Sequence, residues 1–370
     1  MVFARIRTYV DECCPHSHSQ GSPVKRSARA FVIVAAIFLF LLPAIAEDGA
    51  QQFADLGHCA LDSGQTINHC RVGYRTFGTL SAAGDNAVLM PTWLNGRTED
   101  LLSLVGSAPS RTRLIDTTKF YVVLLDSLGD GVSSSPSNSD DQKGAEFPAI
   151  TERDMVRAEY RAVTEVLHLK HAHAVVGVSL GGEQTFEWAV TYPEFLDLAV
   201  PIIGSPQLTS YDLLSHTITE DAMLADPDYK NGKYGEKQPA LKLANELLEM
   251  QLTTPQFRVE HTDRKDFPAL LEEARKPERQ DANDRMWQLR AVLAHDVLRG
   301  KPLDEAAKAT RAKWLVVVSA HDHIVYPGPA LAWAKAASAE TYISDTPCGH
   351  LIMECDAEQV SQRVEKFLAQ

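Results

Sequence analysis

A serine flanked by glycines at a strand-to-helix junction constrains this chain more than any other feature. Ser179 lies in Gly177-Val178-Ser179-Leu180-Gly181. The approach His171-Ala172-His173-Ala174-Val175-Val176 reads as a buried strand, and Gly182 to Val190 reads as a helix closed by Tyr192-Pro193. A Gly-x-Ser-x-Gly turn between two such elements forces a strained backbone that only small flanking residues tolerate. It lifts the serine hydroxyl above the sheet and leaves a backbone N–H, that of Leu180, beside it. Chance supplies the pattern in roughly one chain in ten of this length, so its surroundings must decide what it is.

Downstream, Trp314-Leu315-Val316-Val317-Val318 is an apolar run fit for a parallel strand buried on both faces. It runs into Ser319-Ala320-His321-Asp322, which puts Asp322 at a strand end. A further strand, Glu340-Thr341-Tyr342-Ile343, is followed by Asp345-Thr346-Pro347-Cys348-Gly349-His350. His350 thus falls in the next loop along the same sheet edge, where the functional groups of open α/β sheets collect. Singly, Asp322 reads as a helix N-cap and His350 as a surface loop histidine. In the order serine, acid, histidine they read as a nucleophile, an orienting acid and a base. Asp345 is a competing acid, but it stands too close before His350 to come from the preceding strand. His321-Asp322-His323 has the composition of a metal triplet, yet adjacent residues at one strand end do not converge on one ion, so no metal is expected. His168, His171 and His173 read as structural or surface groups. No Gly-rich phosphate cradle occurs, so no nucleotide cofactor is expected.

The first half alternates strands and helices. Asn86 to Met90 and Phe120 to Leu125 have strand length, and Val156, Tyr160, Val163 and Leu167 form a helical stripe opened by a Thr151/Asp154 capping box. At the C-terminus, Asp356 with Gln359 is expected to cap a helix that buries Val360, Val364 and Leu368. Between Gln207 and Leu303 strand-like runs give way to charged helical segments with proline breaks. These patterns predict an α/β fold with a mostly parallel central sheet flanked by helices. Its core is divided into residues 47–206 and 306–370 by an inserted helical cap, residues 207–305.

The remaining residues 1–46 read as a secretory signal peptide. Lys25-Arg26 and Arg29 precede a short apolar run from Ala30 to Leu42, and Ala44-Ile45-Ala46 supplies a small-x-small cleavage site. The run is short for a membrane anchor. The expectation is therefore export, to the periplasm or the medium, with no stable membrane span after cleavage. The whole chain carries a net charge of −13, and losing a basic leader makes the remainder more acidic. That argues against nucleic-acid or anionic-membrane partners. Cys59, Cys70, Cys348 and Cys355 follow the leader; four cysteines allow three connectivities. Local pairing is the simplest, because Cys59 and Cys70 flank a turn-like Leu61-Asp62-Ser63-Gly64-Gln65 and Cys348 and Cys355 bracket His350. Each small loop would add about 2.5–3 kcal/mol through loop closure. Free buried thiols are the alternative; a zinc site is disfavoured because no second ligand cluster accompanies either pair.

From about Leu61 onward the chain resembles the homoserine O-acetyltransferases of the α/β-hydrolase superfamily. The densest stretch runs from Gly177-Val178-Ser179-Leu180-Gly181-Gly182-Glu183-Gln184 through Glu187-Trp188-Ala189 to Tyr192-Pro193-Glu194. Val72-Gly73-Tyr74-Arg75-Thr76-Phe77-Gly78 resembles the family's opening strand, and Leu128-Gly129-Asp130-Gly131-Val132-Ser133-Ser134 its loop after the next strand. Phe147-Pro148-Ala149-Ile150-Thr151 and Asp226-Pro227-Asp228-Tyr229 also match in order. The resemblance implies an α/β-hydrolase fold, a cap that roofs a tunnel to the serine and helps form a homodimer, and an oxyanion hole completed by the N–H of Leu94 in Pro91-Thr92-Trp93-Leu94-Asn95-Gly96. Two positions depart from the pattern. Glu220 stands where the family's arginine clamps a substrate carboxylate, and Leu351 stands where an aspartate suited to the substrate amine follows the histidine.

The reading is thus of a serine acyl-transfer enzyme with Ser179, Asp322 and His350 as triad and the N–H groups of Leu180 and Leu94 as oxyanion donors. Its expected partner is a small-molecule ester, with water as acceptor and no cofactor. An acetyl-CoA-dependent O-acetyltransferase, with acetyl-CoA as co-substrate, is the alternative; a non-catalytic binding module of the same fold is a second, disfavoured because all three triad residues are kept.

Overall fold

The computed structural model describes residues 48–277 and 279–370; the leader read in residues 1–46 lies outside the described residues. Eight strands form one sheet: β1 (Gln52–Ala60), β2 (Thr66–Phe77), β3 (Ala87–Pro91), β4 (Tyr121–Leu125), β5 (Ala172–Val178), β6 (Leu196–Ile202), β7 (Lys313–Ser319) and β8 (Glu340–Ser344). Their order across the sheet is β1-β2-β4-β3-β5-β6-β7-β8. β2 runs antiparallel to β1 and β4, and every other pairing is parallel. The central strands are the β-branched runs of the sequence, Ala174-Val175-Val176 and Leu315-Val316-Val317-Val318, all buried. Such runs suit strands covered on both faces.

Helices α1 (Glu152–Arg161) and α2 (Leu180–Thr191) precede and follow β5. The Thr151/Asp154 box closes α1: Thr151 Oγ1 accepts from Asp154 N and Asp154 Oδ2 accepts from Thr151 N. α2 is buried around nearly its whole circumference. Its Phe186 stacks on Trp314 of β7 at 5.3 Å and meets Trp333 edge-on at 5.4 Å. That aromatic cluster fixes α2, and with it the start of the helix at Ser179, against the sheet.

Between β6 and β7 run α3 (Ser210–Leu224), α4 (Lys242–Leu252), α5 (Pro255–His261), α6 (Phe267–Ala274), α7 (Ala282–Leu293) and α8 (Leu303–Ala309). The neck of this segment is pinned where Val297 N donates to Pro206 O at 3.0 Å, beside a bridge between Gln207 and Asp296. α9 (Gly328–Ala337), α10 (Ile352–Cys355) and α11 (Ala357–Leu368) complete the order. No helix among the described residues is long and apolar enough to cross a membrane.

Two details differ from the sequence reading. The opening strand is preceded by β1, whose alternation of buried Ala54 and Leu56 is broken by a bulge at Gly57, so no clean period of two survives into Cys59. Asp356 does not cap α11 with its side chain; its Oδ2 instead accepts from the Tyr342 hydroxyl at 2.7 Å. The face of α11 is as expected, with Val360, Val364 and Leu368 buried.

Candidate functional site

Ser179 sits in the turn between β5 and α2 with φ 57° and ψ −123°, a conformation that costs a non-glycine residue energy. The neighbouring glycines allow it. A Cβ on Gly177 would lie 1.9 Å from Gly181 O, and one on Gly181 would lie 2.6 Å from Pro91 O. The sharp turn thus folds onto itself and onto the end of β3. Ser179 N donates to Ile202 O at 2.9 Å, tying the turn to β6.

Three side chains from three separate loops meet here. His350 Nε2 lies 2.9 Å from Ser179 Oγ, and His350 Nδ1 lies 2.8 Å from Asp322 Oδ2. Asp322 and His350 are both buried. Asp322 Oδ1 accepts from Ile324 N at 2.8 Å and Val325 N at 2.9 Å, so its carboxylate is held by backbone on one oxygen and faces the imidazole with the other. Asp322 caps no helix, since the next one begins at Gly328; one oxygen instead closes a turn while the other faces the imidazole. Asp345, the competing acid, is exposed and pairs with His321 Nε2 at 2.9 Å, away from His350. His171 pairs with Asp197, and His173 Nε2 bonds Leu368 O.

Leu94 packs against a small apolar cluster of Leu180, Leu208 and Val292. Among the described residues, no acceptor meets the backbone N–H of Leu94 or Leu180. The Leu94 loop is held by two buried glutamines. Gln184 Nε2 of α2 donates to Thr92 O at 3.2 Å, and Gln288 Oε1 of α7 accepts from Asn95 N at 3.0 Å. A cleft of about 590 Å³ opens beside Asp322, with Thr209, Tyr211, His323 and Tyr326 among its walls.

Both cysteine pairs are disulfide-bonded, Cys59 to Cys70 across the β1–β2 hairpin and Cys348 to Cys355 around His350. Glu220 Oε1 accepts from Arg290 Nε at 2.7 Å, and Leu351 is buried. Trp287 packs as a core residue and donates Nε1 to Phe147 O and Pro148 O.

Sequence reading missed three contributors. His216 on α3 is buried close enough to Asp322 and His350 to feel their charge, and its Nε2 has no partner among the described residues. Burial pushes its pKa down to about 4, so it is neutral at neutral pH. Gln184 and Gln288 are the other two; each is a polar residue on an otherwise buried helix, the signal that would have marked them.

The family model for the alpha/beta hydrolase fold matches residues 105–356. The ethyl acetate hydrolase of Pseudomonas veronii is 31% identical over 188 residues, 50% of this chain and 53% of that protein. The chain thus spans about half the length of that relative. The homoserine O-acetyltransferase of Trichormus variabilis is 30% identical over 288 residues, 72% of this chain and 79% of that protein. Among solved structures, an acetylester hydrolase from Corynebacterium glutamicum superposes with a TM-score of 0.79 at 24% identity, over 87% of this chain and 97% of that one. The sheet order, the turn at Ser179 and these matches agree, and the chain belongs to the α/β-hydrolase family, among the members similar to homoserine O-acetyltransferases.

Proposed function

We propose that this protein is a serine ester hydrolase acting on short acyl esters. The observation that carries the reading is the unbroken hydrogen-bond line from Asp322 through His350 to Ser179 Oγ. A serine hydroxyl is a poor nucleophile until a base takes its proton. With Nδ1–H donated to Asp322, the imidazole offers the Nε2 lone pair to the Ser179 hydroxyl. Ser179 Oγ attacks the ester carbonyl, its proton passes to His350 Nε2, and the carbonyl oxygen becomes an oxyanion received by the N–H groups of Leu180 and Leu94. Collapse breaks the ester C–O bond and His350 returns the proton to the departing alcohol. Water then repeats the sequence on the acyl-Ser179 ester, releasing the acid and restoring the serine.

Water is favoured over an amino-acid acceptor by Glu220 and Leu351. Glu220 is an anion already paired with Arg290, and Leu351 carries no charge. A zwitterionic acceptor would find neither of the partners that the transferase pattern provides, and a charge left unpaired in a desolvated site costs several kcal/mol. Export would also separate the enzyme from coenzyme A, and two disulfides suit an oxidising compartment. The second reading, an acetyl-CoA-dependent O-acetyltransferase, is favoured by the longer match to a homoserine O-acetyltransferase. Both readings share the acyl-Ser179 intermediate.

The deciding experiment offers the purified protein p-nitrophenyl acetate, then acetyl-CoA with and without homoserine. Rapid ester turnover with no homoserine-dependent release of coenzyme A is expected. Efficient formation of O-acetylhomoserine would replace the hydrolase reading with the transferase one. Non-reducing peptide mapping of protein recovered from outside the cytoplasm tests export, with both cysteine pairs expected to be oxidised.

A further inference from the structure

We infer that a second cavity, separate from the Ser179 site, binds a small dianionic oxyanion of the phosphate class. The cavity encloses about 270 Å³, and Arg71, Arg75 and Arg97 lie on its walls with Gln51 and Phe53. It shares no lining residue with the cleft beside Asp322.

Three arginines lining one small space concentrate positive charge there, and they keep it at any pH the protein meets. They are half-buried, in a chain of net charge −13. Among the described residues none of the three forms an ion pair with a carboxylate. Arg75 spends Nε on Thr98 Oγ1 at 3.0 Å and Nη1 on Gly49 O at 2.8 Å. The Arg71 guanidinium lies 4.8 Å over the Phe53 ring, and Arg97 Nε donates to Asp130 O at 3.4 Å. Glu99, the carboxylate on the wall, is bound by Arg279.

The acids behind the wall do not balance the cluster. Asp126 accepts from Thr98 N at 2.7 Å and Gln51 Nε2 at 2.8 Å, and Asp130 from Val132 N at 2.8 Å and Ser133 N at 2.9 Å. Asp284 accepts from Ser137 N at 2.9 Å and Ser137 Oγ at 2.6 Å. Burial raises all three carboxyls, Asp284 to about 7 despite the opposing pull of Arg97, which diminishes the negative charge they present. The wall is also kept bare at Gly131, whose φ is +87°; a Cβ there would lie 2.9 Å from Asp284 Oδ2 and 3.0 Å from Arg97 Nη2.

Guanidinium forks match the oxygens of tetrahedral oxyanions, and three of them supply more donors than one monocarboxylate can accept. A dianion offsets most of the local charge. Inorganic phosphate and a small phosphomonoester share this chemistry.

The test is calorimetric titration of the full protein with inorganic phosphate and, separately, with glycerol phosphate, at ionic strength held constant with sodium chloride. Saturable one-to-one binding is expected, weakened about tenfold or more in Arg97→Gln and in Val132→Glu. The second variant sets a carboxylate on the wall without removing an arginine, and so serves if Arg97→Gln fails to fold. Tighter binding of the ester assigns an organic phosphate, and the reverse order assigns free phosphate. Fluorophosphonate labelling of Ser179 should proceed at the same rate with the cavity filled, a readout that stands whether or not the protein hydrolyses esters. No saturable binding to the wild type, binding unchanged in both variants, or phosphate that blocks labelling at Ser179 would each overturn the assignment.

Discussion

The backbone N–H of His350 donates to Leu252 O at 2.9 Å, so the loop that carries the imidazole is tied to the end of α4 in the inserted helical segment. The tie is reinforced one turn on, where Thr254 Oγ1 donates to Pro347 O at 2.6 Å while accepting from Phe257 N at the start of α5. Gly349, at φ +63°, lets the loop approach; a Cβ there would lie 3.1 Å from Leu252 O. Placement of His350 against Ser179 therefore depends on helices that contribute none of Ser179, Asp322 and His350.

Replacing Thr254 separates this placement from the chemistry. Thr254→Val removes both hydroxyl bonds and is expected to cost about 1–2 kcal/mol as a lost helix cap. Turnover of p-nitrophenyl acetate should fall about tenfold, since small misplacements of a base are costly. Thr254→Ser keeps the hydroxyl and should restore both stability and rate. Equal loss in the serine and valine variants would show that the hydroxyl is not what holds the loop.

Asp322→Asn probes the tautomer. The asparagine carbonyl can keep the bonds from Ile324 N and Val325 N, which leaves its NH2 group facing His350 Nδ1. Nδ1 must then accept, the proton moves to Nε2, and Ser179 loses its base. Ester turnover should drop by roughly 10⁴ with the melting temperature unchanged. A variant that stays active would remove Asp322 from the proton path.

Much of this site is written locally in the chain. The turn at Ser179 is legible because its geometry demands Gly177 and Gly181, and the loops of Asp322 and His350 are legible because each follows a β-branched strand by a few residues. The Cys59–Cys70 pairing is legible for the same reason, as a hairpin turn lies between the two residues. What the sequence leaves unread is set by tertiary approach. His216 on α3 lies near Asp322 and His350 but far from both in sequence, and nothing in its neighbours distinguishes it from a surface histidine. Asp356 has the spacing of a cap but is drawn away by the Tyr342 hydroxyl from β8. A local rule cannot weigh a partner that only the fold supplies.

Two glycine substitutions should differ sharply. Gly177→Ala puts a methyl group 1.9 Å from Gly181 O and 2.2 Å from Gly181 C, a backbone carbonyl that cannot swing aside as a side chain could. It is expected to yield no folded protein, measured as loss of the soluble, cooperatively melting species. Gly64→Ala, in the hairpin turn at φ +79°, meets nothing within 4 Å and should cost only the left-handed backbone penalty of about 1–2 kcal/mol. A folded, active Gly177→Ala would mean that the turn at Ser179 is far looser than its close contacts require.

Glu159 links the core to pH. It is fully buried beneath α2, where its Oε2 accepts from Trp188 Nε1 at 2.9 Å. Burial pushes its carboxyl up to about 8 from the ordinary 4.5, with the nearby Asp126 charge acting in the same direction. The folded protein therefore holds a proton that the unfolded chain releases above about 4.5. The stabilisation this gives is complete below 4.5, declines by about 1.4 kcal/mol per pH unit as the pH rises, and is lost on passing through about 8. Glu159→Gln keeps an acceptor for the indole N–H and has no charge to bury. The difference in unfolding free energy between Glu159→Gln and the parent should thus shift toward the variant with each unit from pH 5 to pH 8, read from urea unfolding at each pH. The other buried carboxyls, including Glu152 and Glu183, are common to both proteins and largely cancel in that comparison. A gap that stays constant across the series would show that Glu159 is ionised in the folded state throughout, and that its environment supplies far more compensation than the Trp188 indole and the Ser127 hydroxyl, 3.5 Å from Oε1.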